Sequence, residues 1–121
     1  IGEPEDIVQG ILNGCDTFDC VNPTRIARTG TLYVHTGETK TTNCGTLTYP
    51  VLKKINLNNQ RYQNDFTMID ELSLGHVAQT YTKGYLAHLF RAKEMLGPHL
   101  ASIHNLHTIV NFTKKLREQL V

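Results

Sequence analysis

The residues of this chain best suited to chemistry lie close together. A short apolar run carrying one carboxylate, Phe18-Asp19-Cys20-Val21, leads through Asn22-Pro23-Thr24 to Arg25 and Arg28. Strand alternation puts Phe18 and Cys20 on one face and Asp19 and Val21 on the other, which would take the Asp19 carboxylate partly out of water. A strand that delivers such a side chain, followed by a proline turn and two arginines three residues apart, is the layout of a site whose rim binds phosphate. The alternative is a solvated edge-strand or turn-capping aspartate, and residue types alone leave both readings open.

The elements that must position these groups follow from periodicity. Residues 4–13 read as a helix, with Pro4 at its start, Glu5 and Asp6 in the first turn, and Ile7, Val8, Ile11 and Leu12 on one face. Gly14 ends it, and residues 17–22 are expected as the strand that carries Asp19 to its tip. Residues 31–36 alternate as a second strand, and 47–57 supply one or two more. The polar, threonine-rich stretch from Gly37 to Gly45 is a hairpin excursion.

From Ser73 onward the pattern is helical. Tyr85, Leu86, Leu89 and Phe90 share a face that runs on to Met95 and Leu96, and Gly97-Pro98 is expected to stop it. A last helix from about 105 to 120 would turn Leu106, Ile109, Val110, Thr113, Leu116 and Leu120 inward.

Composition sets bounds around these elements. The 121 residues, 40% hydrophobic and 19% charged, suffice for a modest core and show no low-complexity stretch. A net charge of +1 argues neither for nor against a polyanionic partner, but Arg25, Arg28, Lys53, Lys54 and Arg61 have only Glu38 as an acid among them. Cys15, Cys20 and Cys44 form no Cys-x-x-Cys, and no long apolar run is present, so the chain reads as reduced, cytoplasmic and without a membrane partner.

The stretch from Asp19 to Gly30, Asp-Cys-Val-x-Pro-Thr-Arg-x-Ala-Arg-x-Gly, resembles the signature of the tRNA-guanine transglycosylases, the queuine tRNA-ribosyltransferase family. Further resemblances occur in the same order along the chain: Gly2-Glu3-Pro4-Glu5-Asp6-Ile7-Val8, Asn59-Gln60-Arg61-Tyr62, Asp65-Phe66, Tyr85-Leu86-x-His88-Leu89-Phe90 and Ile103-His104-Asn105-Leu106-His107.

That family uses a TIM barrel, a fold of about 250 residues or more. The resemblance therefore implies an α/β chain that is the C-terminal fragment of a (β/α)8 barrel with the family's α+β extension. Residues 1–30 would be the last helix and strand of a partial barrel, 31–72 a β-hairpin extension with an insertion at about 37–52, and 73–121 a C-terminal helical subdomain. The family joins those strands more tightly, so the insertion is particular to this sequence or a small subgroup.

The resemblance also implies a reaction. Asp19 would attack C1′ of a ribose in a tRNA anticodon loop, expel guanine at the wobble position, and hold the RNA as an ester until queuine or its precursor arrives. Thr24, Arg25 and Arg28 would hold the RNA. The family's second aspartate and its purine-gripping residues are expected in an N-terminal barrel half lying before this chain. A homo-oligomer, or that missing half, is the expected protein partner, and a non-catalytic RNA-binding or dimerisation remnant is the alternative function. Members also bind structural zinc through three cysteines and a histidine. Alignment puts Ser73, Gly75 and Ala78 at the cysteine positions and leaves only His104, so no metal or other cofactor is expected.

Overall fold

The computed structural model describes residues 2–43 and 47–120. The described residues form five α-helices and one hairpin: α1 (Pro4–Leu12), α2 (Asn22–Ala27), β1 (Thr31–Thr41), β2 (Thr48–Asn56), α3 (His76–Thr80), α4 (Lys83–Arg91) and α5 (Leu96–Leu120). A 3-10 turn at Gln60–Tyr62 follows the hairpin. This is an α/β arrangement in which a two-stranded antiparallel sheet is covered by helices.

Strand β1 separates two apolar clusters because alternate side chains point to opposite faces. Leu32 and Val34 join Ile55, Leu57, Leu86 and Leu100 in one cluster, and Tyr33 joins Ile7, Val8, Ile109, Phe112 and Leu116 in the other. The single helix α5 serves both: Leu100 and Ala101 belong to the first cluster, and Ile109, Phe112 and Leu116 to the second. At 1.5 Å per residue its 25 residues span about 37 Å, enough to cross the domain.

The hairpin keeps strict register from Thr31↔Asn56 to His35↔Leu52, then resumes at Thr39↔Pro50 with two more residues on β1 than on β2. Gly37, with φ of 86°, lies in that irregularity, where a side chain would strain the backbone. The expected excursion at 37–45 is thus largely strand, since β1 continues to Thr41. Cys44, Gly45 and Thr46, the end of that stretch and the start of the next, lie outside the described residues.

Three expectations need correction. Residues 17–22 do not form a strand: 15–21 belong to no regular element and Asn22 already opens α2. A strand exists only by pairing, and the single sheet among the described residues is β1 with β2. Gly97-Pro98 does not stop a helix but begins one. Helix α4 ends at Arg91, Lys93 reverses the chain at φ of 56°, and Pro98 sits in the first turn of α5, where no amide donor is required. Finally, α5 is longer than expected and turned about its axis. Ile109 and Leu116 face inward, but Leu106, Val110 and Leu120 are 46%, 63% and 56% exposed, while His104, Asn105 and Thr108 are buried. Hydrophobic periodicity misplaces this face because its inward side carries polar groups with backbone partners.

Candidate active site

Asp19 lies in the irregular segment ahead of α2 and is exposed, which overturns the expected desolvation of its carboxylate. The alternation itself persists, since Phe18 and Cys20 are partly buried while Asp19 and Val21 face solvent. Helix α2 follows at once. Pro23 sits near its N-terminus and is buried with Ala27. Thr24 donates its Oγ1 hydrogen to the Val21 carbonyl at 3.1 Å, which closes the first turn. Arg25 and Arg28 stay exposed, Arg28 as the C-terminal cap. The site residues predicted from sequence therefore fall on one short stretch, a carboxylate followed by two solvent-facing guanidinium groups.

What holds this stretch is remote in sequence. Asn105 of α5 is fully buried and ties it to β1: Nδ2 donates to the Pro23 carbonyl at 2.9 Å and to the Thr31 carbonyl at 3.0 Å, and Oδ1 accepts from the Tyr33 amide at 3.0 Å. His104 completes the frame by donating from Nε2 to the Tyr33 carbonyl at 2.7 Å. Both backbone groups of Tyr33 are thereby fixed by consecutive residues of α5.

The Tyr33 side chain carries the frame onward. Asn22, the first residue of α2, donates through Nδ2 to the Tyr33 hydroxyl at 3.3 Å and to Glu3 Oε1 at 2.8 Å. Lys54 of β2 pairs with the same Glu3 oxygen. Burial, together with the Glu3 charge, pushes the Tyr33 phenol up to about 12, so it remains a neutral partner across the physiological range. On the other side, Gly2 lies so close to Cys20 that an added Cβ would fall 2.2 Å from its sulfur. A side chain at position 2 would have to displace the Cys20 thiol and would be strained at the φ of 153° that Gly2 adopts.

Sequence reasoning missed Glu3, Asn22, Tyr33 and Asn105 as positioning groups. The available signal was two adjacent polar residues, His104-Asn105, on what proves to be the buried face of an otherwise amphipathic helix. Buried polar side chains of that kind nearly always satisfy backbone groups.

The family model described as Queuine tRNA-ribosyltransferase matches residues 1–121. The chain belongs to the queuine tRNA-ribosyltransferase family. Relatives bearing that name include proteins of Lactococcus lactis subsp. cremoris (strain SK11), 38% identical over 121 residues, and Helicobacter hepaticus, 40% identical over 121 residues, each match covering 100% of this chain and 28% of the relative. A third, from Methylibium petroleiphilum, is 41% identical over 120 residues, 99% of this chain and 28% of that protein. The chain thus spans little more than a quarter of the length of these members.

A structural zinc, which the resemblance implies, would need further donors to join His104. With Nε2 donating to Tyr33, Nδ1 carries a lone pair that is buried and has no partner, the chemistry of a metal-ligating nitrogen. The neighbourhood does not complete a donor set. Gly75 packs so close to His107 that an added Cβ would lie 2.8 Å from its ring. Ser73 is buried and its hydroxyl accepts from the Gly75 amide at 3.2 Å, while Ala78 has no donor atom. Among the described residues, no three His, Cys, Asp or Glu side chains come together as metal ligands. These residues do not fit a tetrahedral zinc site. Burial holds His104 below the ordinary imidazole range, consistent with a neutral ring. No helix among the described residues is long and apolar enough to cross a membrane.

Proposed function

We propose that this chain is the C-terminal part of a transglycosylase that exchanges guanine in a tRNA anticodon for queuine or its precursor, and that residues 1–30 close a TIM barrel supplied by preceding sequence. The observation that carries this reading is the family match along the whole chain with the segment from Asp19 to Arg28 intact and held by side chains as distant as Asn105. Residues 31–72 then form the hairpin extension with its insertion, and 73–121 the helical subdomain.

In the proposed reaction an Asp19 carboxylate oxygen attacks C1′ of the ribose as the bond to N9 of guanine breaks. The leaving purine takes a proton from an acid outside this chain, and the RNA is held as an ester of Asp19. The incoming base then displaces the carboxylate and gives its ring N–H proton to the conjugate base of that acid. Inversion at each step returns the original configuration. Arg25 and Arg28, forked donors on the solvent side of α2, bind anticodon-loop phosphate or a neighbouring base, and Thr24 shapes the turn between them and the nucleophile.

The second reading, a non-catalytic RNA-binding or dimerisation piece, is favoured by one observation, the incomplete zinc donor set. Exposed Phe66, Leu74 and Met95, at 75%, 81% and 86%, supply apolar surface for a second copy or for the rest of a barrel. The deciding experiment measures incorporation of labelled guanine into tRNA. The 121-residue chain alone should be inert, and the same chain fused behind the barrel of a relative should exchange. Exchange by the chain alone, or none by a folded, tRNA-binding fusion, would reject the first reading.

A further inference from the structure

Helix α2 carries Arg25 and Arg28 but does not fix their direction by itself. It has six residues, and a helix shorter than about 12 residues is marginal on its own, so the way its arginines leave the surface depends on what holds its two ends. Neither guanidinium forms an ion pair within 4.0 Å among the described residues, so no acidic partner orients it. The N-terminal end is tied by Asn105 to the Pro23 carbonyl. The C-terminal end is tied from a different element.

That element is the stretch from Asn56 to Asn58 at the end of β2. Asn58 Nδ2 donates to the Thr29 carbonyl at 2.8 Å and the Leu57 amide donates to the Gly30 carbonyl at 2.9 Å, so the two carbonyls directly after Arg28 are held by neighbouring residues. Asn58 is itself set in place. Its amide donates to Asn56 Oδ1 at 2.9 Å, which closes an Asx turn. Gly30 completes the corner: its φ is 90°, and an added Cβ would lie 3.1 Å from Asn58 Nδ2, so a larger residue there would both strain the backbone and crowd the donor.

Burial separates the tasks of these residues. Leu57 is buried and belongs to the core shared with Leu32 and Leu86, whereas Asn56 and Asn58 are exposed. An exposed side-chain hydrogen bond adds little to the stability of the whole fold, because water replaces either partner at small cost. What the Asn58 side chain does fix is local, the orientation of the peptide that follows Arg28.

We propose that Asn58 is a positioning residue for RNA binding: its hydrogen bond to the Thr29 carbonyl, in a turn closed by Asn56, sets the direction of Arg28 from the C-terminal end of α2. The proposal rests on the reading that Arg25 and Arg28 bind RNA, and it brings the end of β2 into the machinery of that site.

The experiment is a double-mutant cycle on the 121-residue chain, read as fluorescence anisotropy with a labelled anticodon stem-loop RNA. Arg28→Ala should weaken binding about tenfold, the loss of one charge-assisted contact. Asn58→Ala should weaken it by about three- to fivefold in the parent chain but by less than about 1.5-fold in the Arg28→Ala background, since a guanidinium that is absent cannot be misdirected. Asn56→Ala should show the same coupling with a smaller effect. Circular dichroism should be unchanged in every variant. Equal losses from Asn58→Ala in both backgrounds would overturn the proposal, because a direct contact or a general loosening adds to the loss of Arg28. Loss of the folded spectrum in Asn58→Ala would overturn it too, by making the residue structural. Full affinity in Asn58→Ala beside weakened binding in Arg28→Ala would overturn it and leave the RNA reading standing. Full affinity in Arg28→Ala, or no binding by the parent chain, would reject the RNA reading and this role with it.

Discussion

The segment from Asp19 to Arg28 and the segment from Ser73 to Ala78 differ in how they are held. The first exposes its carboxylate and guanidinium groups and is fixed by Asn105 on the Pro23 carbonyl and by the Asn22 side chain bridging Glu3 and Tyr33. The second is buried at Ser73, Val77 and Ala78 and offers a hydroxyl, a glycine and a methyl group at positions 73, 75 and 78, while His104 of α5 keeps a buried Nδ1 without a hydrogen-bond partner. A side chain that reacts must be reachable, so its geometry has to come from neighbours that do not react. A metal that organises a fold must instead be enclosed by its own ligands, and losing those ligands leaves nothing for it to hold.

The largest expected effect breaks the first region at its reactive atom. In the barrel fusion, Asp19→Asn should lower the exchange rate by a factor on the order of 10⁴ or more, about 5.5 kcal/mol of transition-state stabilisation, while tRNA affinity stays within twofold. A covalent RNA adduct, visible as a shifted band on denaturing gels with the parent fusion, should be absent. Equal loss of binding and turnover would make Asp19 a structural residue.

Asn105→Ala attacks the same region through its frame. It strands the Tyr33 amide and removes one donor from each of two carbonyls, all of them buried or partly buried. A stranded buried backbone group costs about 1–3 kcal/mol, so destabilisation of roughly 3 kcal/mol is expected from denaturant melts of the 121-residue chain. The same change should loosen the Asp19 segment, read as faster amide exchange at 19–25 than in a control such as Ile109→Val, whose cost of about 1 kcal/mol should leave that segment protected. Uniform loosening in both variants would show that Asn105 supports the whole core and not that segment.

How far the sequence showed these relations depended on the kind of signal each left. Ile7 and Val8 on α1, and Leu32 and Val34 on β1, follow hydrophobic periodicity and lie where it put them. The Asp19 segment failed as a strand because pairing depends on a partner, which no local pattern contains. The break between α4 and α5 is hard to read because Gly-Pro serves a helix end and a helix start equally well, and Lys93, a residue with no turn preference to advertise it, takes the positive φ. In the site, Asp19, Thr24, Arg25 and Arg28 were legible as residue types. Their support was not, because Tyr33 and Asn105 are joined across 72 residues through a backbone amide, a pairing invisible to composition.

A smaller effect concerns acid stability. Burial pushes the Asp70 carboxyl upward, but the His35 side chain and amide outweigh it, with the Leu72 amide, and hold the group below its ordinary value of 3.8. The folded state therefore binds this proton less readily than the unfolded chain. Its contribution is complete above the unfolded value and is lost as pH falls below about 3.8 toward the folded value. His35→Ala removes the side-chain donor and should flatten this acid limb of the stability curve. An unchanged limb would place the acid sensitivity elsewhere.

The smallest effect expected is also the one that tests the second region. If Ser73, Gly75 and Ala78 have replaced the zinc ligands, a chelator should leave the melting temperature of the 121-residue chain unchanged within about 1 °C, and elemental analysis of protein purified without added metal should find well under one equivalent of zinc. Structural zinc contributes on the order of 10 kcal/mol to a small domain, so a dependence on it would be unmistakable. The sequence suggests apolar packing by Leu72, Leu74, Val77 and Ala78 as the replacement. Only Val77 and Ala78 are buried; Leu72 and Leu74 are 59% and 81% exposed. One buried Val, worth about 1.5–3 kcal/mol, together with a smaller Ala, cannot match a zinc site. Stability without metal must then come chiefly from the shared core of α3, α4 and α5, where Val77 meets Leu86, Leu89 and Leu100. Leu100→Ala should accordingly lower stability by about 2–5 kcal/mol with or without chelator. One equivalent of zinc that leaves on chelation, taking the helical subdomain's stability with it and depending on His104, would remove the contrast between the two regions.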